Sequence, residues 1–326
     1  VISFSLATLA VEASPLFLLT LGLGVGILSG LLGVGGGVLM TPALHVLGMS
    51  MPMAVGTTLT QMVASSLTGT IKHFRQHNIR PKIALSFGIP ALFGVWLGRE
   101  VMVYWDQTQQ ADAITSALYI VLLSFIGYVM LKRSRGERPL MRKISESLHA
   151  PTQTFWQRIW NMGPRMSLTS GRSLPLGAPT ILGVAVGLVS ALTGLGGGFF
   201  YVPAMAAFLD LEIRVAIGTS LACVFMGSVV GALSFANAGL SDLLVAVILA
   251  VGSSIGGVIG ASATQHVKGR AIHVMFSFLV WTAALSMLLR RLDYSQISYV
   301  LLFGSALIVV LSAVLNAAYH ALQARG

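Results

Sequence analysis

The sequence predicts an all-α fold: a polytopic membrane helix bundle built from two homologous repeats, each holding a broken or re-entrant glycine-rich helix. Three observations predict it. Hydrophobic residues make up 55% of the 326-residue chain and charged residues 9%, with a mean hydropathy of +0.84. A soluble domain carries about 25% charged residues. Next, Gly26–Pro42 (GILSGLLGVGGGVLMTP) and Gly187–Pro203 (GLVSALTGLGGGFFYVP) match at eight of seventeen positions, 161 residues apart. Finally, each copy is followed by a second echo, Ala54-Val55-Gly56-Thr57-Thr58-Leu59 against Ala216-Ile217-Gly218-Thr219-Ser220-Leu221.

The elements follow in order. Residues 1–131 form the first repeat, and Ala13–Ile71 within it contains no Asp, Glu, Lys or Arg. Its first apolar segment, Pro15–Leu47, holds the first glycine break in 33 residues, more than the roughly 20 that one crossing needs. Met51–His73, Ile83–Tyr104 and Ala113–Leu131 follow as apolar helices. No segment alternates with period two, which argues against a barrel, so backbone groups in lipid pair within helices. Residues 132–176 form a basic linker, read as cytoplasmic, with nine Lys/Arg and two acids over Lys132–Arg172. Within it, Phe155, Trp156, Ile159 and Trp160 recur at helical spacing, so Ser147–Met162 is expected to lie on the membrane face as an amphipathic helix. Residues 177–326 repeat the pattern: Pro179–Leu209 with the second break, then Val215–Ala238, Leu243–Thr264 and Ala271–Leu289. Ile297–Ala318 adds a C-terminal helix.

Two topologies satisfy this pattern. If each glycine-broken segment crosses once, the halves are parallel. If each forms a re-entrant hairpin, the halves are inverted, which suits the 33-residue segment better. Both keep Lys72–Lys82 and the basic linker on one side, so the excess of Lys/Arg in inner loops does not separate them. Small residues at four-residue spacing, as in Gly22-Gly26-Gly30 and Gly252-Gly256-Gly260, are read as close-packing faces between membrane helices.

Three consecutive glycines within lipid each cost a helix about 1 kcal/mol relative to Ala. Such breaks persist where the freed backbone lines a cavity or is buried in protein. A helix restarting beyond the break aims free N–H groups and a positive dipole end at that point, an anion site without a charged side chain. Matched breaks in two halves point to the binding site of a secondary transporter. The candidate substrate-binding residues are therefore Gly35, Gly36, Gly37, Thr41, Pro42, Thr57, Thr58 and Gln61. The second half adds Gly196, Gly197, Gly198, Pro203, Thr219 and Ser220. Lys72, His73 and Arg75 form a candidate cytoplasmic mouth. Each has a plainer reading: a kink for packing, a hydroxyl bonded to a carbonyl one turn back, or a topology anchor.

Other chemistries find little footing. The ten acids sit at expected segment ends and loops, with no carboxylate pair, and GVGGGVLM lacks the Lys-Ser/Thr of a nucleotide loop. No catalytic group, metal or cofactor is expected. The +10 net charge clusters beside apolar segments, which points away from nucleic acid. The single Cys223 excludes an intrachain disulfide.

GLLGVGGGVLMTPAL and ALTGLGGGFFYVPAM, each followed by A-[VI]-G-T-[ST]-L, resemble the TauE/SafE sulfite exporter family. The resemblance covers nearly the whole chain except the linker and the last segment. Its glycine-rich signatures map to Gly33, Gly35, Gly36, Gly37 and Pro42, and to Gly194, Gly196, Gly197, Gly198 and Pro203. It implies a multi-pass permease of the cytoplasmic (inner) membrane that moves small sulfur-containing anions such as sulfite or organosulfonates. Export by alternating access is the leading expectation. An anion channel, an importer of thiosulfate or another small anion, and a non-transporting scaffold are the alternatives. Expected partners are the anion and the lipid bilayer; a homo-oligomer and a coupling ion such as H+ stay open.

Overall fold

The computed structural model describes residues 14–32, 36–134, 165–167, 173–175, 177–209, 211–263 and 269–323. Gly33, Gly35 and the expected interfacial helix Ser147–Met162 lie outside these residues. The helices are α1 (Pro15–Leu32), α2 (Gly37–Val46), α3 (Met51–Arg75), α4 (Pro81–Gln107) and α5 (Ala111–Ser134). After the linker come α6 (Gly177–Thr193), α7 (Gly198–Phe208), α8 (Ile213–Asn237), α9 (Leu243–Ala263), α10 (Gly269–Arg291) and α11 (Ser295–Gln323). Within the linker, strands β1 (Arg165–Ser167) and β2 (Ser173–Pro175) pair antiparallel, a small exception to the all-α expectation.

Local sequence explains where the helices start and stop. Prolines in the first turns of α3 and α4 fall where a missing N–H is harmless. The turn residues His77 and Gly239, at equivalent places after α3 and α8, both adopt positive φ. Stretches of α4, α5, α8 and α9 are long and apolar enough to cross a membrane. The 25-residue α3 reaches about 37 Å at the usual helical rise, but its Thr, Ser and Gln side chains need partners in the bundle. Thr57, Thr58 and Ser66 obtain them and are fully buried.

The order of contacts along the helices sets their directions. Between α3 and α8, Gly56 lies against Leu240 and Phe235, Gly231 against Leu59, Gly69 against Leu221, and Gly218 against His73. Numbers fall on one helix as they rise on the other, so these equivalent helices are antiparallel. The same holds for α5 and α10, where Gly127 meets Trp281 and the Arg291 guanidinium donates to the Ala113 carbonyl at 3.3 Å. Equivalent helices running oppositely are the mark of the inverted arrangement.

The glycine faces pair the first helix of each repeat with the fourth helix of the other. Gly22 and Gly26 lie against Leu249 and Ser253, while Gly256 and Gly260 lie against Leu23 and Ile27, so α1 and α9 are parallel. Gly94 and Gly98 lie against Val184 and Leu188, and Gly187 against Ala91, so α4 and α6 are parallel. A methyl group at Gly22, Gly26, Gly94 or Gly187 would overlap a carbonyl oxygen of the facing helix. Close packing is what these glycines provide.

Bonds from α3 to α9, at Gln61–Ser253 and Lys72–Ser262, make α3 parallel to α9 and therefore to α1. The chain must double back between α1 and α3, and α2 is that return stroke. In the second half α8 runs with α4 (Cys223 against Ala84, Gly227 against Val95), hence with α6, and α7 turns back. Helices α1 and α2, and likewise α6 and α7, thus run in opposite directions.

The C-terminal α11 has no counterpart among the described residues. It packs antiparallel on α10 through buried hydroxyls. Ser286 Oγ donates to the Ser298 carbonyl at 3.0 Å, Ser298 Oγ to the Ser286 carbonyl at 2.8 Å, and Thr282 Oγ1 to Ser305 Oγ at 2.9 Å.

Candidate functional site

The two hairpin tips meet in the interior. Gly36 caps α2 in the left-handed region (φ 82°), and Gly197 does the same for α7 (φ 73°), a conformation that only glycine adopts freely. Neither helix start receives a side-chain cap. Gly37 lies so close to Gly194 and Leu195 that a Cβ there would overlap the Gly194 carbonyl oxygen. A Cβ on Gly194 would in turn stand 2.5 Å from Thr41 Oγ1.

The first hairpin is surrounded by neutral polar groups. Thr41 Oγ1 donates to Thr58 Oγ1 at 3.1 Å, and both residues are fully buried. Gln61 Oε1 accepts from Ser253 Oγ at 2.8 Å, while Gln61 Nε2 is buried without a partner. That amide nitrogen lies 3.6 Å from where a Cβ on Gly36 would sit, with Ser29 on the same side. A buried donor left unpaired costs about 1–3 kcal/mol, so an acceptor entering here would recover that energy. Among the described residues no Asp, Glu, Lys or Arg is buried. The site offers N–H and O–H donors and no fixed charge, which suits an anion that must bind and leave.

Tyr119, which the sequence reading did not single out, braces this turn. Pro42 lies inside α2 and has no N–H to return to the Val38 carbonyl. The Tyr119 hydroxyl reaches in from α5, donating to Gly37 O at 2.9 Å and to Val38 O at 3.3 Å. The signal was present in the proline: its position orphans a named carbonyl, and a buried orphan needs a donor.

The second tip is apolar by comparison. Gly196 (φ 74°) faces the Met62 methyl and Val224, while Gly197 faces Val186 and the Tyr201 ring. Gly198 begins α7 and Pro203 lies within it. Ser220 is buried and donates to its own helix at Ile217 O, 2.8 Å away.

Thr57 and Thr219 have a different surrounding. Thr57 Oγ1 accepts from the Asp242 N–H at 2.9 Å, and Thr219 Oγ1 accepts from the Arg80 N–H at 3.1 Å. The preceding glycines admit the same loops, since a Cβ on Gly56 would strike Leu240 O and one on Gly218 would strike Asn78 O. The duplicated Gly-Thr pairs therefore fasten each repeat to the loop before the other repeat's fourth helix.

The cationic trio closes α3. Lys72 Nζ donates to Val258 O at 3.0 Å and to Ser262 Oγ on α9. His73 is buried near Gly218 with Nδ1 unpartnered, and Arg75 is exposed. Charges divide between the two ends of the bundle. Lys72, Arg75, Arg80, Lys82 and Arg214 lie at one end, where Glu212 also lies. Glu100, Asp106, Asp112, Asp242 and Asp293 lie at the other, with Arg99, Arg290 and Arg291. Among the described residues no group of three or more His, Cys, Asp or Glu could hold a metal ion.

Residues 18–287 match the family model described as sulfite exporter TauE/SafE. The probable membrane transporter protein YjnA of Bacillus subtilis is 27% identical, the match covering 83% of this chain and 98% of that protein. YunE of the same organism, also named a probable membrane transporter protein, is 25% identical over 79% of this chain and 92% of its own. A probable membrane transporter protein of Xylella fastidiosa is 27% identical over 84% and 95%. No solved structure matches the chain. With its paired helix breaks, apolar helices and a family match spanning most of its length, the chain belongs to the TauE/SafE sulfite exporter family and is a membrane transporter.

Proposed function

We propose that this transporter is a secondary permease that moves a small sulfur-containing anion, such as sulfite or an organosulfonate, across the cytoplasmic membrane by alternating access. Residues 1–131 are the first of two inverted repeats and residues 177–326 the second plus an extra C-terminal helix, joined by the 132–176 linker. The observation that carries this reading is the unpartnered Gln61 Nε2 beside the Gly36 turn, in an interior that, among the described residues, buries hydroxyls but no Asp, Glu, Lys or Arg. A neutral donor set binds an oxyanion through hydrogen bonds strengthened by the ligand's charge, without an ion pair to hold it. The substrate seat is Gly36, Gly37, Thr41, Thr58 and Gln61, with Gly196, Gly197, Gly198 and Ser220 closing it from the second tip. Thr57 and Thr219 act as loop fasteners. Pro42 and Pro203 shape the returning helices.

The basic end is the cytoplasmic one, as the excess of Lys/Arg in inner loops implies. Export is the direction favoured, since Lys72 and Arg75 would gather anions at that face before entry, with His73 buried behind them. Proteoliposomes holding the purified protein test the substrate class. Counterflow of sulfite, thiosulfate, sulfoacetate and taurine is measured with and without an imposed pH gradient. Saturable exchange of at least one sulfur anion is expected. Flux that rises linearly with concentration would make the protein a channel, and no flux of any of the four would remove the sulfur-anion reading.

A further inference from the structure

The two seams beside the central site are built from equivalent positions but filled differently. On α3, Gln61, Ser65, Thr68 and Lys72 stand at successive turns on one face. Gln61 touches Ser253 of α9 at one end of this row, and Lys72 touches Val258 and Ser262 of α9 at the other. The row therefore follows the α3–α9 seam from the unpartnered amide to the basic end. Between the anchors α9 presents Gly257, where a Cβ would meet nothing closer than the Gly26 carbonyl at 3.9 Å.

The inverted copy of this seam lies between α8 and α4. Its row reads Cys223, Gly227, Val230 and Ser234, with no donor side chain between the thiol and the last residue. The position equivalent to Gly257 is Val95, which is 1% exposed. Its Cγ2 stands 3.7 Å from where a Cβ on Gly227 would be. A valine side chain stands where the α3–α9 seam has none. One seam carries a row of polar side chains, while the other is apolar between its ends.

We propose that the α3–α9 seam is the anion's route between the central site and the basic end, with Lys72 as a transit-binding residue on it. This rests on the anion-transport reading of the central site. In the structure the Lys72 ammonium spends two of its three donors on a carbonyl and a hydroxyl of α9. An arriving anion is the stronger acceptor for an ammonium and displaces them. The displacement unlatches α3 from α9, so the passing ion opens its own exit. Ser65 and Thr68 donate to Met62 O and Ser65 O of their own helix, at 3.3 and 2.9 Å. A hydroxyl rotor can turn from such a carbonyl to a passing oxyanion.

The experiment reads accessibility and charge preference, so it needs no knowledge of the natural substrate. In a Cys223→Ser background, Thr68→Cys and Val230→Cys are each exposed to membrane-impermeant methanethiosulfonates, one bearing a sulfonate and one a trimethylammonium. With the reagents applied at the basic end, Thr68→Cys should react at least tenfold faster with the anionic one. Lys72→Gln should abolish that preference, Lys72→Arg should retain it, and Val230→Cys should stay inert. In counterflow, Lys72→Gln should lower maximal flux about tenfold while half-saturation moves less than threefold. An inert Thr68→Cys, or equal rates for the two reagents before Lys72 is changed, would overturn the inference. Sulfur-anion flux with an inert Thr68→Cys sinks the seam alone. A tenfold anionic preference without flux of any sulfur anion sinks the substrate reading alone.

Discussion

The first and second hairpins share a backbone and differ in chemistry. Both turn on a left-handed glycine, at Gly36 and Gly197, and both return through a short helix holding a proline, Pro42 and Pro203. Around the first lie Thr41, Thr58, Gln61, Ser253 and the Tyr119 hydroxyl. Around the second lie Val186, Met62, Val224 and the Tyr201 ring, which packs edge-on to Phe87 with centroids 6.0 Å apart. The position equivalent to Gln61 is Cys223, whose thiol points to Ala84 O at 3.4 Å. Both copies carry the device that breaks the helix, and the polar lining lies around the first. The proposed site is therefore lopsided, displaced toward the first hairpin.

The contact between the tips is the first place to break this comparison. Gly37→Val would drive a branched side chain into the Gly194 carbonyl oxygen, and backbone there cannot yield cheaply. We expect loss of the folded bundle, read as failure to purify as a monodisperse species; a stable Gly37→Val protein would show that the tips do not need to touch.

The chemical difference is tested by removing one donor from each side. Gln61→Leu should weaken anion binding by about 1.5–3 kcal/mol, the usual worth of a hydrogen bond to a charged group, while Cys223→Ala should change it little. Isothermal calorimetry with the anion identified by counterflow checks both. Equal losses in the two variants would restore a symmetric site.

The glycines themselves should separate next. At Gly36 a Cβ has ordinary room, its nearest neighbour Val25 Cγ1 at 3.4 Å, whereas at Gly197 it would stand 2.5 Å from Val186 Cγ1. Both substitutions carry roughly 1–2 kcal/mol for a left-handed alanine. Gly197→Ala adds overpacking, about 1–3 kcal/mol. Thermal unfolding should thus fall further for Gly197→Ala, and affinity further for Gly36→Ala, which fills space beside Gln61. The reverse order in either measurement would contradict the assignment.

The smallest effects belong to the loop fasteners. Thr57→Val and Thr219→Val each leave one loop N–H without its acceptor, a loss of about 1 kcal/mol. Both should lower thermal stability by similar amounts and leave anion affinity within twofold. A large affinity change in either would return that hydroxyl to the binding site.

Much of this was legible before any coordinates. The bundle, the duplication and the positions of both breaks follow from residues quoted in the sequence. The direction of the repeats did not, because Lys72–Lys82 and the linker fall on one side in either topology. It took pairs such as Gly218 with His73 and Gly56 with Leu240 to show that α3 and α8 oppose each other. The Gly-Thr echo looked like ligand chemistry because it follows each break. In the fold, the glycine admits a loop and the hydroxyl ties it, a task set by tertiary neighbours that periodicity cannot reveal. The lopsidedness was available in the unequal pairs Gln61/Cys223 and Gly257/Val95. It acquired meaning once those side chains were seen to occupy equivalent seats.

The joint between α10 and α11 has a consequence for a protein set in an energised bilayer. Its bonds run through Ser286, Ser298, Thr282 and Ser305, and none of these hydroxyls titrates in the physiological range. A swing in proton gradient or ionic strength that would loosen a salt bridge leaves this fastening unaltered. Helix α11 is moored by groups that voltage, acid and salt do not address, a fixed edge to the bundle.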